Sequence, residues 1–407
     1  MERPSALQRL RAALFASPLD GLITVVLLAA LLAGGQALLH WLVFKAQWAV
    51  ILVNSTLFAV GRYPLDQQWR LWLLTTLLAG ATGLSWGLLR ALPRPDRRAV
   101  LWPTNDRLAV ALLSGLGVLV PLVLQLSAAI ALRWWLITAL VLACRWLAGR
   151  WGAALPAIAR RGWPLIWPLL YLLGMTLIAG GFGVPAVSPY RWGGLLLTLI
   201  EACFAILLCF PLGVLLALGR RSSLPLLRWL SVLYIEFIRG APLITLLFLG
   251  QNILGLLLPG GFTPDRVWRA AWVLTFFAAA YVAEAVRSGL VALPPGQMEA
   301  ARALGLPVHQ AMLKVVLPQA LRVALPAMVG QFINLLQDTT LLSLIGLFEL
   351  LGTARAVMAN PAFIGKDAEV YLVLAVLFWC CCAALGLGSR ALETRLNTNP
   401  QPALGLP

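Results

Sequence analysis

Long apolar runs separated by short polar breaks dominate this chain of 407 residues. The runs are continuous and do not alternate every second residue, so they predict helices and not membrane strands. About twenty apolar residues are needed to cross the hydrocarbon core of a bilayer as an α-helix. Runs that reach or approach this length occupy residues 21–44, 71–89, 108–131, 134–148, 163–187, 193–219, 229–258, 270–290, 325–348 and 370–388.

The composition is typical of a membrane protein and excludes a soluble one. Hydrophobic residues make up 61% of the chain and charged residues only 11%, whereas soluble domains carry about 25% charged residues. We therefore predict an all-α membrane protein with about 8–10 transmembrane helices. The run 134–148 is the weakest candidate because it is short and contains Arg145. If it and a neighbouring run lie at the membrane surface, the lower number applies.

The distribution of basic residues predicts the orientation. A net charge of +16 would suit nucleic-acid binding if the basic residues formed one patch, but they stand in the breaks between apolar runs. Lysine and arginine accumulate in the cytoplasmic loops of membrane proteins. Placing both termini in the cytoplasm puts most of the 31 basic residues on that side of a multi-pass protein. We predict this orientation and no nucleic-acid partner.

The sequence predicts neither a metal site nor a catalytic site within this chain. The six cysteines lie in apolar stretches without CxxC spacing, and only His40 and His309 could join them as ligands. A structural zinc site needs four closely spaced ligands of these types. Neither histidine accompanies a nucleophile motif such as GxSxG.

The polar residues that could carry function lie in the second half of the chain. Residues 1–190 are apolar runs joined by arginine-rich connections, of which 61–70 and 90–107 are predicted to be solvated loops. From residue 191 onward, polar residues occur inside apolar runs or at their ends, where ionisable groups usually face a bundle interior or an aqueous path. We predict a substrate pathway that draws on Glu201, Glu236, Arg239, Glu284, Asp338, Thr339 and Thr340.

Spacing along a helix offers a simpler interpretation of four charged residues. Glu236 and Arg239 lie three residues apart on one helix face, so they can neutralise each other as an internal ion pair. We favour that pair over direct contact with substrate. Glu284 and Arg287 repeat the spacing at the end of their run and are predicted to support the loop that follows.

The other polar residues leave two interpretations open. Asp338, Thr339 and Thr340 lie near the middle of their run, where a broken helix could offer carbonyl groups and a dipole end to a zwitterion. Alternatively, the threonine hydroxyls bond back to their own helix. Glu201 either lines the pathway or pairs with Arg191 or with another subunit.

An amphipathic loop separates the predicted spans 270–290 and 325–348. Pro294, Pro295 and Gly296 halt the preceding helix, and residues 297–304 are strong helix formers with a carboxylate in the first turn. Gly305 suits the left-handed position after that helix, and Pro307 suits the first position of a second helix ending at residues 317–318. The sequence predicts two short helices joined at a glycine turn.

This loop resembles the EAA motif of permease subunits of bacterial ABC importers. The matching residues are Glu299, Ala300 and Ala301, then Gly305, and then Leu317 and Pro318. Segments 218–222, 234–243, 281–287, 317–321 and 338–341 are similar to the polar amino-acid (histidine/glutamine-type) permeases. Together they cover about residues 191–395. The additional N-terminal spans are most similar to the M-type subunit of general L-amino acid transporters. The chain departs from the family pattern at Gln337, where lysine is usual, and at Thr340, where serine is usual.

The resemblance implies a division of the chain. Residues 1–190 would hold additional transmembrane helices, residues 191–395 a five-helix type I ABC importer permease core, and residues 396–407 a tail. A cytoplasmic coupling loop at 293–318 would dock on an ATPase. The residues implied in this coupling are Gly296, Gln297, Glu299, Ala300, Ala301, Gly305, Leu317 and Pro318.

The energy source must then lie outside this chain. A P-loop needs the sequence Gly-Lys-Ser/Thr, and none of the three lysines, Lys45, Lys314 and Lys366, stands in it. We predict that this chain is not an enzyme and holds no cofactor, and that a partner ATPase binds ATP and Mg²⁺. The resemblance implies a second related permease subunit, two ATPase subunits, a periplasmic amino-acid-binding protein and an amino-acid substrate in the bacterial inner membrane. The alternatives are an ion-coupled secondary transporter, which would use Glu201 or Asp338, and a membrane scaffold without transport.

Overall fold

A computed structural model describes residues 14–91, 128–156, 162–181, 183–253 and 264–396, with a few isolated residues (110, 111, 113–115, 117 and 159). Within these residues the chain forms helices and no β-strand. Among the described residues, seven helices are long and apolar enough to cross a membrane, and the number rises to eight if one bent pair counts as a span. The prediction of an all-α membrane protein is confirmed. Most of the run predicted at 108–131 lies outside the described residues, so the total number of spans stays a prediction.

The first helix stands apart from the rest of the protein. Helix α1 (Pro18–His40) begins at Ser17, whose hydroxyl accepts a hydrogen bond from the Asp20 amide, and it continues through a π-helical turn at Trp41–Lys45. None of its most apolar stretch is buried against the parts of the chain that the structure describes. An apolar helix exposed on all sides is stable only in lipid or against another protein. Two short helices follow, α2 (Ala49–Val53) and α3 (Ser55–Val60), and then the long helix α4 (Gln68–Ala91).

The predicted weak run 134–148 is a full-length helix. Helix α5 (Ala128–Trp151) has 24 residues and begins inside the run predicted at 108–131, most of which lies outside the described residues. The sequence prediction was wrong about its length because Arg145 does not interrupt it. The Arg145 guanidinium lies 4.9 Å from the ring centre of Trp86, and Arg133 lies 5.2 Å from that of Trp72. Such cation–π contacts let arginine remain within an apolar helix.

The next helix is shorter than its apolar run. Helix α6 (Ile166–Ala179) stops at Gly180, which has a φ of 87°. A side chain at Gly180 would lie 2.4 Å from the carbonyl oxygen of Pro185, so the backbone folds tightly back at this point. The predicted span 163–187 is therefore wrong beyond residue 179.

Among the described residues after 193, five units are long and apolar enough to cross a membrane. They are α7 (Gly194–Arg220), the bent pair α8 (Pro225–Gly240) and α9 (Leu243–Asn252), α10 (Arg266–Val291), the helical segment Val308–Ile345 and α15 (Asp367–Leu396). Helix α10 is the central one, with 56% of its apolar window buried. It runs parallel to α7 and packs closely on it at Gly213, where a side chain would lie 2.6 Å from Val282.

The predicted span 229–258 is broken rather than continuous. Helices α8 and α9 meet at an angle of 106°. Ala241 has an extended conformation (φ −101°, ψ 138°) because the residue before a proline, here Pro242, is disfavoured in a helix. The break turns α8 away from the direction of α9.

The helical segment Val308–Ile345 changes type along its length. It contains α12 (Val308–Ala311), a π-helical turn at Met312–Val316, α13 (Leu317–Asp338) and a 3₁₀ helix at Thr339–Ile345. Helix α11 (Gly296–Ala303) precedes it, and α14 (Leu350–Met358) follows before the last span.

The connection at residues 61–70 is only partly solvated, so its prediction as a plain solvated loop is wrong at two positions. Tyr63 is 3% exposed and Arg70 is completely buried. The Arg70 guanidinium donates to Gln67 Oε1 at 2.6 Å, to the Pro185 carbonyl at 2.8 Å and to the Leu177 carbonyl at 3.4 Å. This arginine therefore joins the start of α4 to the loop that leads into α7. The second predicted solvated loop, 90–107, lies almost entirely outside the described residues.

The N-terminal part also contacts the second half backbone to backbone. Gly61 forms a bridge with Trp192, and a side chain at Gly61 would lie 2.5 Å from the Cα of Gly193. Phe58 of α3 is 4% exposed and belongs to a hydrophobic cluster with Leu350 and Val370. The segment around Phe58 and Gly61 is thus packed against the second half of the chain.

Candidate functional site

The coupling loop (residues 293–318) begins with a helix that ends in a Schellman motif. Gly305 has a φ of 83°, so its predicted left-handed conformation is confirmed. The Gly305 amide donates to the carbonyl of Arg302 at 2.9 Å, and the Leu306 amide donates to that of Ala301 at 3.2 Å. These two bonds satisfy carbonyl groups that a helix end would otherwise leave unpaired. The turn therefore has a defined geometry.

The second arm of the coupling loop departs from the prediction. Pro307 caps α12 in an extended conformation, and the helix begins one residue later, at Val308. The helix does not end at Leu317 and Pro318 but continues into α13. A proline lacks the amide hydrogen and clashes with the carbonyl four residues earlier. The π-helical turn Met312–Val316 lies directly before Pro318 and accommodates both effects.

The loop exposes one face and buries the other. Glu299, Ala300 and Gly305 are exposed, whereas Ala301 is 4% exposed. Leu304 at the turn is 85% exposed. Its side chain is therefore available for contact with lipid or with another protein.

Two contacts fix the loop to the spans. Gln319 Nε2 of α13 donates to Gln297 Oε1 of α11 at 3.0 Å, across the turn. At Gly289, near the end of α10, a side chain would lie 2.4 Å from the carbonyl oxygen of Ala320. The backbone near the end of α10 therefore contacts the backbone near the start of α13. The coupling loop connects these two helix ends.

A cluster of charged side chains lies beside the loop. Glu284 of α10 is its centre: Oε1 accepts from Arg220 Nη1 at 2.7 Å, and Oε2 lies 2.9 Å from Arg287 Nε and 3.7 Å from Arg239 Nη1. Arg220 also donates to Glu236 Oε1 at 3.1 Å. The Glu284 side chain is 17% exposed, so these interactions are stronger than those of a solvent-exposed pair. The charged cluster joins α7, α8 and α10.

The predicted pairing within this cluster was half right. Glu284 and Arg287 do pair, as their spacing predicts. Glu236 and Arg239 were expected to pair with each other, but Glu236 binds Arg220 and Arg239 binds Glu284. The side chains reach across to neighbouring helices because the bend after α8 brings its end towards α7 and α10. The sequence could not show this, since Arg220 lies 16 residues before Glu236.

Glu201 is enclosed within the protein. Its side chain is fully buried, and among the described residues neither carboxylate oxygen has a hydrogen-bond partner. Tyr171 of α6 donates to the carbonyl of the adjacent Ile200 at 3.3 Å, so the N-terminal helices reach this point. Glu201 thus lies where α6 meets the core and does not face open space in this conformation.

Asp338, Thr339 and Thr340 lie at the change from α-helix to 3₁₀ helix. Asp338 is the last residue of α13 and is half-buried. The hydroxyls of Thr339 and Thr340 donate to the carbonyls three residues earlier, at 2.6 Å and 2.8 Å. At about 1.5 Å per residue, Asp338 is roughly 27 Å along the helix from the contact at Ala320. It therefore lies near the far end of its span, not near the middle as predicted.

A buried carboxylate that we had not assigned a role caps helix α14. Glu349 is completely buried, and its oxygens accept from the amides of Leu351 at 2.7 Å and Gly352 at 2.8 Å. Burial raises the pKa of Glu349 to about 7, against the opposing effects of these two amides and of Arg355. The neighbouring Leu350 amide donates to Thr198 of α7 at 3.1 Å. A glutamate one residue before a helix was the available sequence signal.

The described residues contain no group of three histidine, cysteine, aspartate or glutamate side chains that could hold a metal ion. The six cysteines are free thiols. The arrangement offers an exposed face on the coupling loop and a charged junction between helices.

Comparison with known proteins connects this geometry to a family. Residues 209–398 match the family described as binding-protein-dependent transport system inner membrane component. The inner membrane amino-acid ABC transporter permease protein YhdY of Escherichia coli is 40% identical over 272 residues, which are 66% of this chain and 74% of that protein. The glutamate/glutamine/aspartate/asparagine transport system permease protein BztC of Rhodobacter capsulatus is 38% identical over 361 residues, 86% of this chain and 79% of that protein. A chain in the crystal structure of an amino acid ABC transporter with histidines is 31% identical, with a TM-score of 0.45 over 50% of this chain and 92% of that chain.

Proposed function

This chain belongs to the permeases that form the inner-membrane component of binding-protein-dependent ABC transport systems, and we propose that it imports amino acids with energy from a separate ATPase. The alternative of an ion-coupled secondary transporter is not favoured, because its relatives are ABC permeases. The relatives named above transport amino acids, and BztC is named for glutamate, glutamine, aspartate and asparagine. An amino acid is therefore the substrate class that we propose here.

The continuity of the coupling loop with a span carries this proposal. The segment from Val308 to Ile345 is one helical unit, so a push on α12 moves α13 without an intervening flexible joint. The Gln297–Gln319 hydrogen bond fixes α11 to the same unit. Two short helices fixed at a defined glycine turn form a rigid lever, which can bias a bundle between two arrangements.

We assign the docking surface to the residues that the EAA resemblance implies. Glu299 and Ala300 are exposed beside Leu304, so an ATPase could bind this face through an apolar contact and a carboxylate. The ATPase would hold ATP and Mg²⁺, and this chain would not itself be an enzyme. Closure of the nucleotide sites would then move the coupling loop relative to the membrane.

The charged cluster would distribute this motion. Glu284 ties α10 to Arg220 of α7 and to Arg239 of α8, directly above the coupling loop. Three helix ends linked by one carboxylate move together more readily than three independent helices. We therefore interpret Glu236, Arg239 and Glu284 as elements of transmission rather than as direct substrate contacts.

The substrate pathway is proposed at the far end of α13. Asp338 is a half-buried acid at a change of helix type, where it could meet an ammonium group. Thr339 and Thr340 would act by shaping the backbone, since their hydroxyls bond to their own helix. Glu201 is buried where α6 meets α7, so it would line the substrate pathway only if these two helices separated.

The complete transporter would contain a second related permease, two ATPase subunits and a periplasmic binding protein. Both termini would lie in the cytoplasm, as the distribution of arginine predicts. This orientation places the coupling loop on the side where ATP is available.

Reconstitution in vesicles with these partners tests the proposal. We expect uptake of a labelled amino acid to require ATP and to be unaffected by an uncoupler. Glu299→Arg should abolish substrate-stimulated ATP hydrolysis and uptake while membrane insertion is retained. Asp66→Arg, a charge reversal on an exposed carboxylate far from the loop, serves as control and should leave both intact. Uptake driven by an ion gradient without ATP would contradict the proposal.

A further inference from the structure

Three exposed arginines lie at the end of the bundle opposite the coupling loop. Gly61 and Trp192 form an antiparallel bridge, which places Arg62 and Arg191, the next residues along the two segments, beside each other. Helix α7 begins directly after this bridge and ends beside the charged cluster. Its 27 residues span roughly 40 Å. The bridge and the coupling loop therefore lie on opposite sides of the membrane.

The third arginine is Arg266, at the start of α10. Its Nη1 atom lies 3.8 Å from the position that a Cβ atom at Gly346 would occupy. Two residues farther along, the ring centre of Phe348 lies 5.6 Å from the Cζ atom of Arg62. The loop from Gly346 to Phe348 therefore has a guanidinium group at each end.

Two exposed aromatic side chains accompany these arginines. Phe348 is 50% exposed, and Tyr190, the neighbour of Arg191 in the chain, is 66% exposed. The Phe348 carbonyl accepts a hydrogen bond of 2.9 Å from the Gly194 amide, which fixes the loop to the start of α7. We call this surface the arginine patch; it consists of Arg62, Tyr190, Arg191, Arg266 and Phe348. Its backbone is held in place before any partner arrives, and such preorganisation lowers the entropic cost of binding.

No ion pair within the described residues neutralises the arginine patch. The ion pairs that they form lie in the charged cluster, on the other side of the membrane. Asp265 accepts from the Val267 amide at 2.9 Å, and Asp66 accepts from Gln67 Nε2 at 2.6 Å. The undescribed residues that adjoin helix ends on the patch side, 118–127 and 254–263, contain no aspartate or glutamate. The patch therefore presents positive charge to whatever approaches it.

The arginine patch lies over the bundle and not on its lipid-facing circumference. Arg266 is the first residue of α10, the central helix, of whose apolar window 56% is buried. The start of a central helix is surrounded by other helices, so its exposed side chain extends into the aqueous space above them. A soluble protein can reach this position more easily than a lipid headgroup can.

We propose that the arginine patch binds an acidic face of the periplasmic binding protein, an inference that rests on the function proposed above. Arginine and aromatic side chains are enriched in protein interfaces, and interfaces pair positive patches with negative ones. Such a protein would deliver its amino acid on the side opposite the coupling loop. Arg62 belongs to the first 190 residues, so the N-terminal part of the chain contributes to docking together with the permease core.

Biolayer interferometry with the transporter's own periplasmic binding protein tests the arginine patch. The complete transporter is held in nanodiscs of phosphatidylcholine. We expect Arg62→Gln combined with Arg266→Gln to slow association about tenfold, and to flatten its decrease between about 50 and about 300 mM salt. Arg266→Glu should slow association more than Arg266→Gln, because it adds repulsion. Unchanged thermal unfolding of these variants shows that the fold is retained.

Arg133→Gln is the matched control. Arg133 is exposed near the start of α5 and lies 5.2 Å from the ring centre of Trp72, on the same side of the membrane as the patch. Only 6% of the apolar window of α5 is buried against the described residues, so this arginine lies towards the circumference. We expect the control to associate like the unmodified transporter.

Three results would overturn the proposal. They are an equal loss in the control, unchanged association in the double variant, and a loss that appears only in nanodiscs containing phosphatidylglycerol, which would assign the patch to lipid headgroups. Unchanged association together with uptake that still requires ATP would remove the docking surface and leave the proposed function standing. Uptake without ATP would instead contradict the proposed function.

Discussion

Arg220 of α7 donates a hydrogen bond of 2.7 Å to Glu284 of α10, although 64 residues separate them. The contact lies where the two parallel helices end and the coupling loop begins. Glu284 also meets Arg239 and Arg287, so one carboxylate balances three guanidinium groups. Loss of the Glu284 carboxylate would leave the positive charges of the three arginines close to one another.

Replacing Glu284 should therefore destabilise the protein more than its partial exposure suggests. We expect Glu284→Gln to lower the free energy of unfolding by roughly 1–3 kcal/mol, because the partly buried arginines lose the negative charge and one of the two acceptor oxygens that face them. Denaturant titration in detergent micelles measures this. Glu236→Gln is the control, since that side chain is 55% exposed and should cost less than about 1 kcal/mol. Equal effects of the two changes would contradict the central role of Glu284.

Gly305 should not tolerate a side chain. Its φ of 83° disfavours residues other than glycine, so Gly305→Ala should cost about 1 kcal/mol and loosen the turn. Gly305→Pro fixes φ at the wrong sign and removes the amide that binds Arg302. We expect it to abolish substrate-stimulated ATP hydrolysis in vesicles while membrane insertion is retained.

Gly330→Ala is the control for this change. Gly330 lies inside α13 with a normal backbone and open space around it, so alanine should be neutral or stabilising. Full transport by Gly305→Pro would show that the coupling loop transmits nothing.

Arg70 should be essential for stability. Removing its guanidinium leaves the part-buried carbonyl of Pro185 and the amide oxygen of Gln67 without their donor. We expect Arg70→Ala to cost roughly 2–3 kcal/mol. Arg62→Ala is the matched control, because Arg62 is exposed and only lies 5.6 Å from the Phe348 ring centre, a contact that contributes at most about 1 kcal/mol. Similar unfolding curves for both variants would contradict the buried role.

The stability of the protein should fall as the pH rises from about 4.5 to about 7. The pKa of Glu349 is about 7 in the folded protein, above its ordinary value of 4.5. The folded state therefore holds a proton that the unfolded state has already released between these values. The contribution is fully present below about pH 4.5 and is lost as the pH approaches 7, with a total of up to roughly 3 kcal/mol.

Thermal unfolding between pH 4.5 and pH 8 tests this dependence. Glu349→Gln cannot titrate, so the difference between the two proteins should follow the pKa of that carboxyl. A constant difference across this range would mean that Glu349 does not titrate there.

The residues that local chemistry controls could be predicted from the sequence. Gly305 and its flanking helix formers fixed the turn of the coupling loop, and the spacing of Glu284 and Arg287 predicted their pair. The break at Ala241 and Pro242 was also readable, because a residue before proline resists helix formation. We had not used that signal, since the apolar run continues across it.

Residues with distant partners could not be predicted. Arg70 looks like part of a polar connection, and two of its three acceptors are backbone carbonyls more than 100 residues away. The same holds for Glu236, whose partner Arg220 becomes a neighbour only after the chain has turned at the membrane surface. Periodicity and hydropathy describe one helix at a time. They do not indicate which helices pack against each other.

The contact between Gly61 and Gly193 sets a limit on shortening this protein. Two backbones meet there without room for a side chain, and Arg70 and Phe58 bury themselves in the same junction. A trimmed version that starts at the first residue of the permease core would expose the apolar patch around Leu350 and Val370 to solvent or lipid. Anyone seeking a minimal transporter from this chain should therefore keep α2 and α3, or redesign the surface that they cover.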